Sequence, residues 1–179
     1  MKLTNQHLIN AIEFANEKHA NQVRKGSGLP YIIHPFQVLT TLLEVKKSKN
    51  SILLSICAIL HDVVEDCNVT LQEIADRFGY QVAAIVEELT SVYDKNLIDK
   101  EDYLKEKLVD ISSYALTIKL IDRYCNLKDI VDMDSTSVEK LYTSTTRIIE
   151  HVENNRFIKL LSTNSKLLSL IRKQLNSEL

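Results

Sequence analysis

Apolar residues recur three and four positions apart along most of this chain, the spacing of one face of an α-helix. Leu8, Ile12 and Ala15 share such a face behind Thr4, whose hydroxyl suits a helix N-cap. Val38, Leu39, Leu42 and Leu43 mark a second helix with Pro35 in its first turn. The run "SILLSICA" at 51–58 is apolar on nearly every side, as a buried helix is, and Asn50 or Ser51 can cap it. Thr70 and Glu73 have capping-box spacing ahead of "LQEIADRF", and Gly79 ends that helix. "YQVAAIVEELTSV" at 80–92 is again amphipathic, and further helices are expected over about residues 100–110, 113–131, 137–153 and 163–175. "NQVRKGSGLPYI", "KKSKN", "YDKNLIDKEDY" and "DMDSTS" read as the connections. No stretch alternates as a strand does, so the expected class is all-α.

Composition narrows this little. A length of 179 residues suits one compact domain, and only 3 Gly and 2 Pro favour helices over a many-turned β fold. A net charge of −2 gives no basic field for nucleic acid, although a local cationic cluster could still hold a small anion. Cys57, Cys67 and Cys125 make no CxxC pair and sit in or beside apolar segments, which suits buried thiols in a reducing compartment. The start "MKLTNQHLINAIEF" lacks a signal-peptide pattern, and no apolar run reaches the ~18 residues of a membrane span. A cytoplasmic protein is expected, and the apolar positions of the last two helices could serve a homo-oligomer.

The chemistry concentrates at "ILHDVVED", residues 59–66, where a greasy helix ends in one imidazole and three carboxylates. On a continuous helix His61 would lie above Glu65, and Asp62 above Glu65 and Asp66. Clustered carboxylates at a partly buried site repel one another and lose hydration, so a neutraliser is needed: protons, cationic side chains or a divalent metal. No Lys or Arg falls between Lys49 and Arg77, which favours a metal; imidazole with carboxylate suits Mn²⁺, Fe²⁺ or Zn²⁺. The alternative is a helix that simply ends in solvated acids. Two residues elsewhere add to the metal reading. His34 sits in "YIIHPF" at a helix start, where a structural histidine is the plainer reading. Asp122 lies among Ile118, Leu120, Ile121 and Leu127, where a buried aspartate needs a counter-charge, either a salt bridge or a cation.

The order His34, His61–Asp62, Asp122 resembles the H…HD…D ligand order of the HD superfamily of phosphohydrolases. The surrounding words are more specific. "HANQVRKGSGLPYIIHP", "ILHDVVEDCNVTLQEIADRFGYQVAAIVEELTSV" and "IKLIDRYCNLKDI" are similar to the hydrolase domain of the RelA/SpoT family, over about residues 19–130. That family carries R-K-x-G-x-P-Y-x-x-H-P, then H-D-x-x-E-D, T-x-x-x-[IL]-x-x-x-F-G and K-x-x-D-R-x-x-N, in this order. Among its members the chain looks most like the stand-alone small alarmone hydrolases, a group that includes the metazoan SpoT homologues.

The resemblance implies a helical array of about eight to ten helices as one HD-type domain over 1–179, residues 137–179 being a helical extension. It implies one Mn²⁺ held by His34, His61, Asp62 and Asp122, with Fe²⁺ or Zn²⁺ as substitutes, and Glu65 and Asp66 as the catalytic pair acting on the attacking water. The implied reaction removes the 3′-pyrophosphate of guanosine tetra- or pentaphosphate. Arg24 and Lys25 would meet base and phosphate, and Asn126 the ribose; Tyr31, Lys119 and Arg123 match motif positions of less defined role. Two departures concern the substrate. One extra residue lies between Lys25 and Pro30, which puts Gly26 where a serine is usual and leaves Ser27 to take its part. The 93–100 segment is no close match, so Lys95, Lys100, Tyr142 and Arg147 are only candidates for the distal phosphates. The alternative function is a related phosphohydrolase acting on NADPH or a nucleotide 2′- or 3′-phosphate, and a third is a nucleotide-sensing scaffold with a metal-free site.

Overall fold

A computed structural model describes residues 2–25, 27–46, 50–131, 133–156 and 159–177. The expectations that fall on Gly26, on Lys47 to Lys49 and on Asp132 therefore lie outside the described residues. Helix follows helix throughout, and the one β-type pairing among the described residues is an isolated bridge between Val23 and Pro30. The chain forms two compact units, residues 1–90 and 91–179.

The first unit holds α1 (Asn5–Lys18), α2 (Ile33–Val45), α3 (Ser51–Leu60), α4 (Val63–Asp66), α5 (Leu71–Phe78) and α6 (Tyr80–Leu89). Every residue of α3 from Leu53 to Leu60 is buried, so this helix has almost no solvent face. It sits at the centre accordingly, against α1, α2 and α6. Phe14 on α1 meets Phe78 on α5 edge-on at 5.6 Å, closing the core on that side. Thr70 caps α5 through Glu73 N–H at 3.1 Å, but the Glu73 carboxylate turns to Lys18 and Arg77 at 3.6 and 3.3 Å. Gly79 joins α5 to α6 at φ +92°, a value a residue with Cβ rarely adopts, and so permits the abrupt change of direction.

In the second unit α7 (Lys100–Asp110) packs on α9 (Ser135–Asn155), and α8 (Ser113–Lys128) on α10 (Ser162–Asn176). Asp99, Ser112 and Asp134 cap α7, α8 and α9 with side-chain oxygens. The Asp134 cap starts α9 two residues before the sequence expectation. Fully buried Asn164 donates to Thr117 Oγ1 at 3.0 Å and accepts from Leu161 N–H at 3.1 Å, so burying its amide leaves it bonded. The Arg156 guanidinium gathers the carbonyls that end α7: Leu108 at 2.8 Å, Val109 at 2.9 Å and Ile111 at 2.7 Å. Bonds from a charged donor to otherwise orphaned helix carbonyls are the stronger kind. Arg156→Ala is expected to lower unfolding stability by roughly 2–3 kcal/mol in urea titrations, and Arg156→Lys by less.

Candidate metal centre

Helix α3 does not run on through residue 66 as its sequence suggests; it stops at Leu60 and the chain turns through His61 and Asp62 before α4. His61 contributes to the stop. Its Nδ1 lies 2.8 Å from the Ala58 carbonyl, bonding one of the carbonyls left over at the helix end. A carbonyl oxygen only accepts, so in the neutral ring Nδ1 carries the proton and Nε2 keeps its lone pair. That nitrogen is 2.9 Å from Asp62 Oδ2, and the His34 Nε2, from the first turn of α2, is 4.0 Å from the same oxygen. The two imidazole rings lie edge to face at 5.3 Å, both buried, and Asp62 is half-buried.

This arrangement tests whether a cation fits. A lone pair 2.9 Å from a carboxylate oxygen is a repulsive contact unless positive charge lies with it, supplied by an added proton or a metal. Two buried imidazole nitrogens directed at one carboxylate oxygen form a donor set of the kind that divalent transition metals take, so the residues fit the group the sequence implies.

Asp62 Oδ2 also accepts from the Tyr31 hydroxyl at 2.7 Å, and that hydroxyl reaches Asp66 Oδ2 at 3.3 Å. Glu65 and Asp66 occupy the single turn of α4, Glu65 half-buried and Asp66 at the exposed rim. Partial burial, then the charges of Asp62 and Glu65, raise the Asp66 carboxyl above its ordinary range, against the hydrogen bond from Tyr31. The first unit thus brings together His34, His61, Asp62, Glu65 and Asp66. It adds Tyr31, whose part had no definition in the motif, and behind it two residues not singled out from the sequence, His19 and Gln22. Their only sequence signal is membership of "HANQV".

The loop before His34 is tied by Arg24 N–H to the Leu29 carbonyl at 2.8 Å and Gly28 N–H to the Arg24 carbonyl at 3.1 Å. Gly28 has φ +66° with open space where a Cβ would stand, so conformation and not crowding calls for glycine there. Half-buried Arg24 lies 5.8 Å from the Tyr31 ring centre, while Lys25 and Ser27 are exposed. In the second unit Asp122 is half-buried on α8 and accepts from Asn126 Nδ2 at 2.7 Å. The asparagine expected at the ribose therefore also orients an expected ligand. Burial lowers the pKa of Arg123, against the charges of Asp122 and Glu101. Lys119 and Tyr142 are half-buried; Lys95, Lys100 and Arg147 are exposed, and Arg147 pairs with Glu101 at 3.6 Å.

The HD domain family matches residues 11–156, reaching across both units. The chain belongs to the HD-domain family. Guanosine-3′,5′-bis(diphosphate) 3′-pyrophosphohydrolase MESH1 of Homo sapiens is 38% identical to this HD-domain protein over 126 residues, 69% of either chain. An Aquifex aeolicus protein named guanosine-3′,5′-bis(diphosphate) 3′-pyrophosphohydrolase is 38% identical over 123 residues; these make up 67% of this chain but only 17% of that longer protein. The solved structure of a metazoan SpoT ortholog, reported to hydrolyse ppGpp, superposes with TM-score 0.78 at 24% identity, over 97% of this chain and 98% of that one. The all-α expectation and the RelA/SpoT resemblance both hold. No described helix is long and apolar enough to cross a membrane.

Proposed function

We propose that this HD-domain protein is a Mn²⁺-dependent hydrolase of guanosine 3′,5′-bis(diphosphate) and its pentaphosphate, releasing pyrophosphate and leaving GDP or GTP. The observation that carries the reading is the convergence of the His34 and His61 imidazoles on the Asp62 carboxylate, one turn before Glu65 and Asp66. The relationship to MESH1 and the Aquifex protein supplies the substrate class.

In this reading His34, His61, Asp62 and Asp122 hold one Mn²⁺ per chain, and residues 1–179 act as one functional domain. Fe²⁺ or Zn²⁺ could substitute, since the donor types do not choose between them. When bound, such a cation acidifies water and draws electron density from a phosphoryl oxygen. Glu65 and Asp66 accept the proton of the water that attacks the phosphorus attached to the 3′ oxygen. The P–O bond to that oxygen breaks as the water oxygen bonds to phosphorus, and the 3′ oxygen leaves with the proton that the carboxyl pair gives back. Arg24 stacks on the purine, Lys25 meets phosphate, and Asn126 reaches the ribose while holding Asp122. The partner is a small nucleotide; no nucleic-acid or membrane partner is assigned. Thiols at Cys57, Cys67 and Cys125, two of them buried, suit the cytoplasm in which a nucleotide hydrolase works.

The test is turnover of a nucleotide panel by metal-loaded protein with product identification. The expected result is pyrophosphate from guanosine tetraphosphate in preference to phosphate from NADPH or from nucleoside 2′- and 3′-phosphates. Preference for one of the latter would overturn the substrate, and no turnover of any would overturn the enzyme.

A further inference from the structure

The geometry points to Tyr31 as a positioning residue that sets the metal-binding carboxylate and one catalytic carboxylate through a single hydroxyl. The inference rests on the metal-dependent reading above.

A phenol has one proton to donate. Here it points to Asp62 Oδ2 at 2.7 Å, with Asp66 Oδ2 at 3.3 Å as the longer arm, so one oxygen fixes the spacing of two acids that repel each other. The ring that carries this oxygen is itself held. His19, 2% exposed, stacks on it at 4.7 Å with the planes 30° apart. The Tyr31 backbone N–H donates to the Gln22 carbonyl and its carbonyl accepts from His34 N–H, each at 2.9 Å. Gln22 repeats the connection from the other side: its Nε2 donates to the Asp66 carbonyl at 2.9 Å, and its Oε1 meets His19 Nδ1 at 2.8 Å. Tyr31 and Gln22 therefore grip the Asp62–Asp66 turn at a side-chain point and a backbone point. An outer hydrogen bond of this kind orients a ligating carboxylate before the cation arrives, and its loss typically costs 10–100-fold in metal affinity or rate.

Tyr31→Phe removes the donor and keeps the ring on His19. The readouts are the Mn²⁺ dissociation constant from calorimetry on the full chain, kcat and KM for guanosine tetraphosphate, and the melting temperature. Expected are Mn²⁺ binding weaker by about tenfold and kcat lower by about 10–100-fold at saturating metal, with KM within about twofold and the melt nearly unchanged. Unchanged Mn²⁺ affinity and kcat would overturn the assignment. A change in KM alone would also overturn it, by making Tyr31 a substrate contact, as would a collapsed melt, which marks a structural role. Wild-type protein that binds no Mn²⁺ would instead overturn the underlying metal reading.

Discussion

Asp62→Asn is expected to strip the protein of its metal and reduce turnover by about three orders of magnitude or more. The carboxylate oxygen lies 2.9 Å from the Nε2 of His61 and 4.0 Å from that of His34, so it is the point the buried imidazoles share. An amide in its place has no charge to offer a cation. The same substitution has a second, opposite consequence. His61 Nδ1 is occupied by the Ala58 carbonyl, which leaves an acceptor at Nε2. An amide N–H at position 62 would donate to that acceptor, so the contact would need neither an added proton nor a cation. Metal-free Asp62→Asn should therefore melt at or above metal-free wild type, while gaining none of the stabilisation that Mn²⁺ gives the wild type. Metal analysis and paired melts with and without Mn²⁺ read both effects. Retained metal with wild-type turnover would remove Asp62 from the site.

The second large effect should separate binding from chemistry. Glu65→Ala with Asp66→Ala leaves both imidazoles and Asp62 in place, so Mn²⁺ should still bind at about one per chain. Pyrophosphate release should fall by about 10²–10⁴-fold, the usual contribution of a positioned base. The loss should lie in kcat, with KM little changed, because neither acid is assigned to hold the nucleotide. Single substitutions are expected to be less damaging, since the two acids share one turn of α4 and either can take a proton from nearby water. If the double variant keeps wild-type kcat, the base lies elsewhere in the chain.

Most helices were legible because their cause is local. Leu8, Ile12 and Ala15 report a helix face whatever surrounds them, and the α7 bounds expected from the pattern coincide with Lys100–Asp110. The misses are local competitions that spacing does not display. The apolar run into "HDVVED" promises one helix, yet the His61 side chain bonds the Ala58 carbonyl and the chain turns at 61–62. α8 ends at Lys128 and α6 at Leu89, each about three residues short of the apolar pattern; at α6, Thr90 Oγ1 bonds the Val86 carbonyl. At α9 the reverse happens, with the Asp134 side chain starting the helix early.

The candidate site divides in the same way. Residue types, their order along the chain and the helical setting were determined by the sequence, since an imidazole or a carboxylate brings its coordination chemistry wherever it stands. Which oxygen the two imidazoles share, which nitrogen of His61 faces Asp62, and the bond from Tyr31 across 31 positions to Asp62 were decided only by tertiary structure. The physical reason is range. Helix periodicity is written by neighbours within about four residues, whereas a hydrogen bond between a loop and a distant turn depends on how several helices pack around α3, which no stretch of the chain specifies alone.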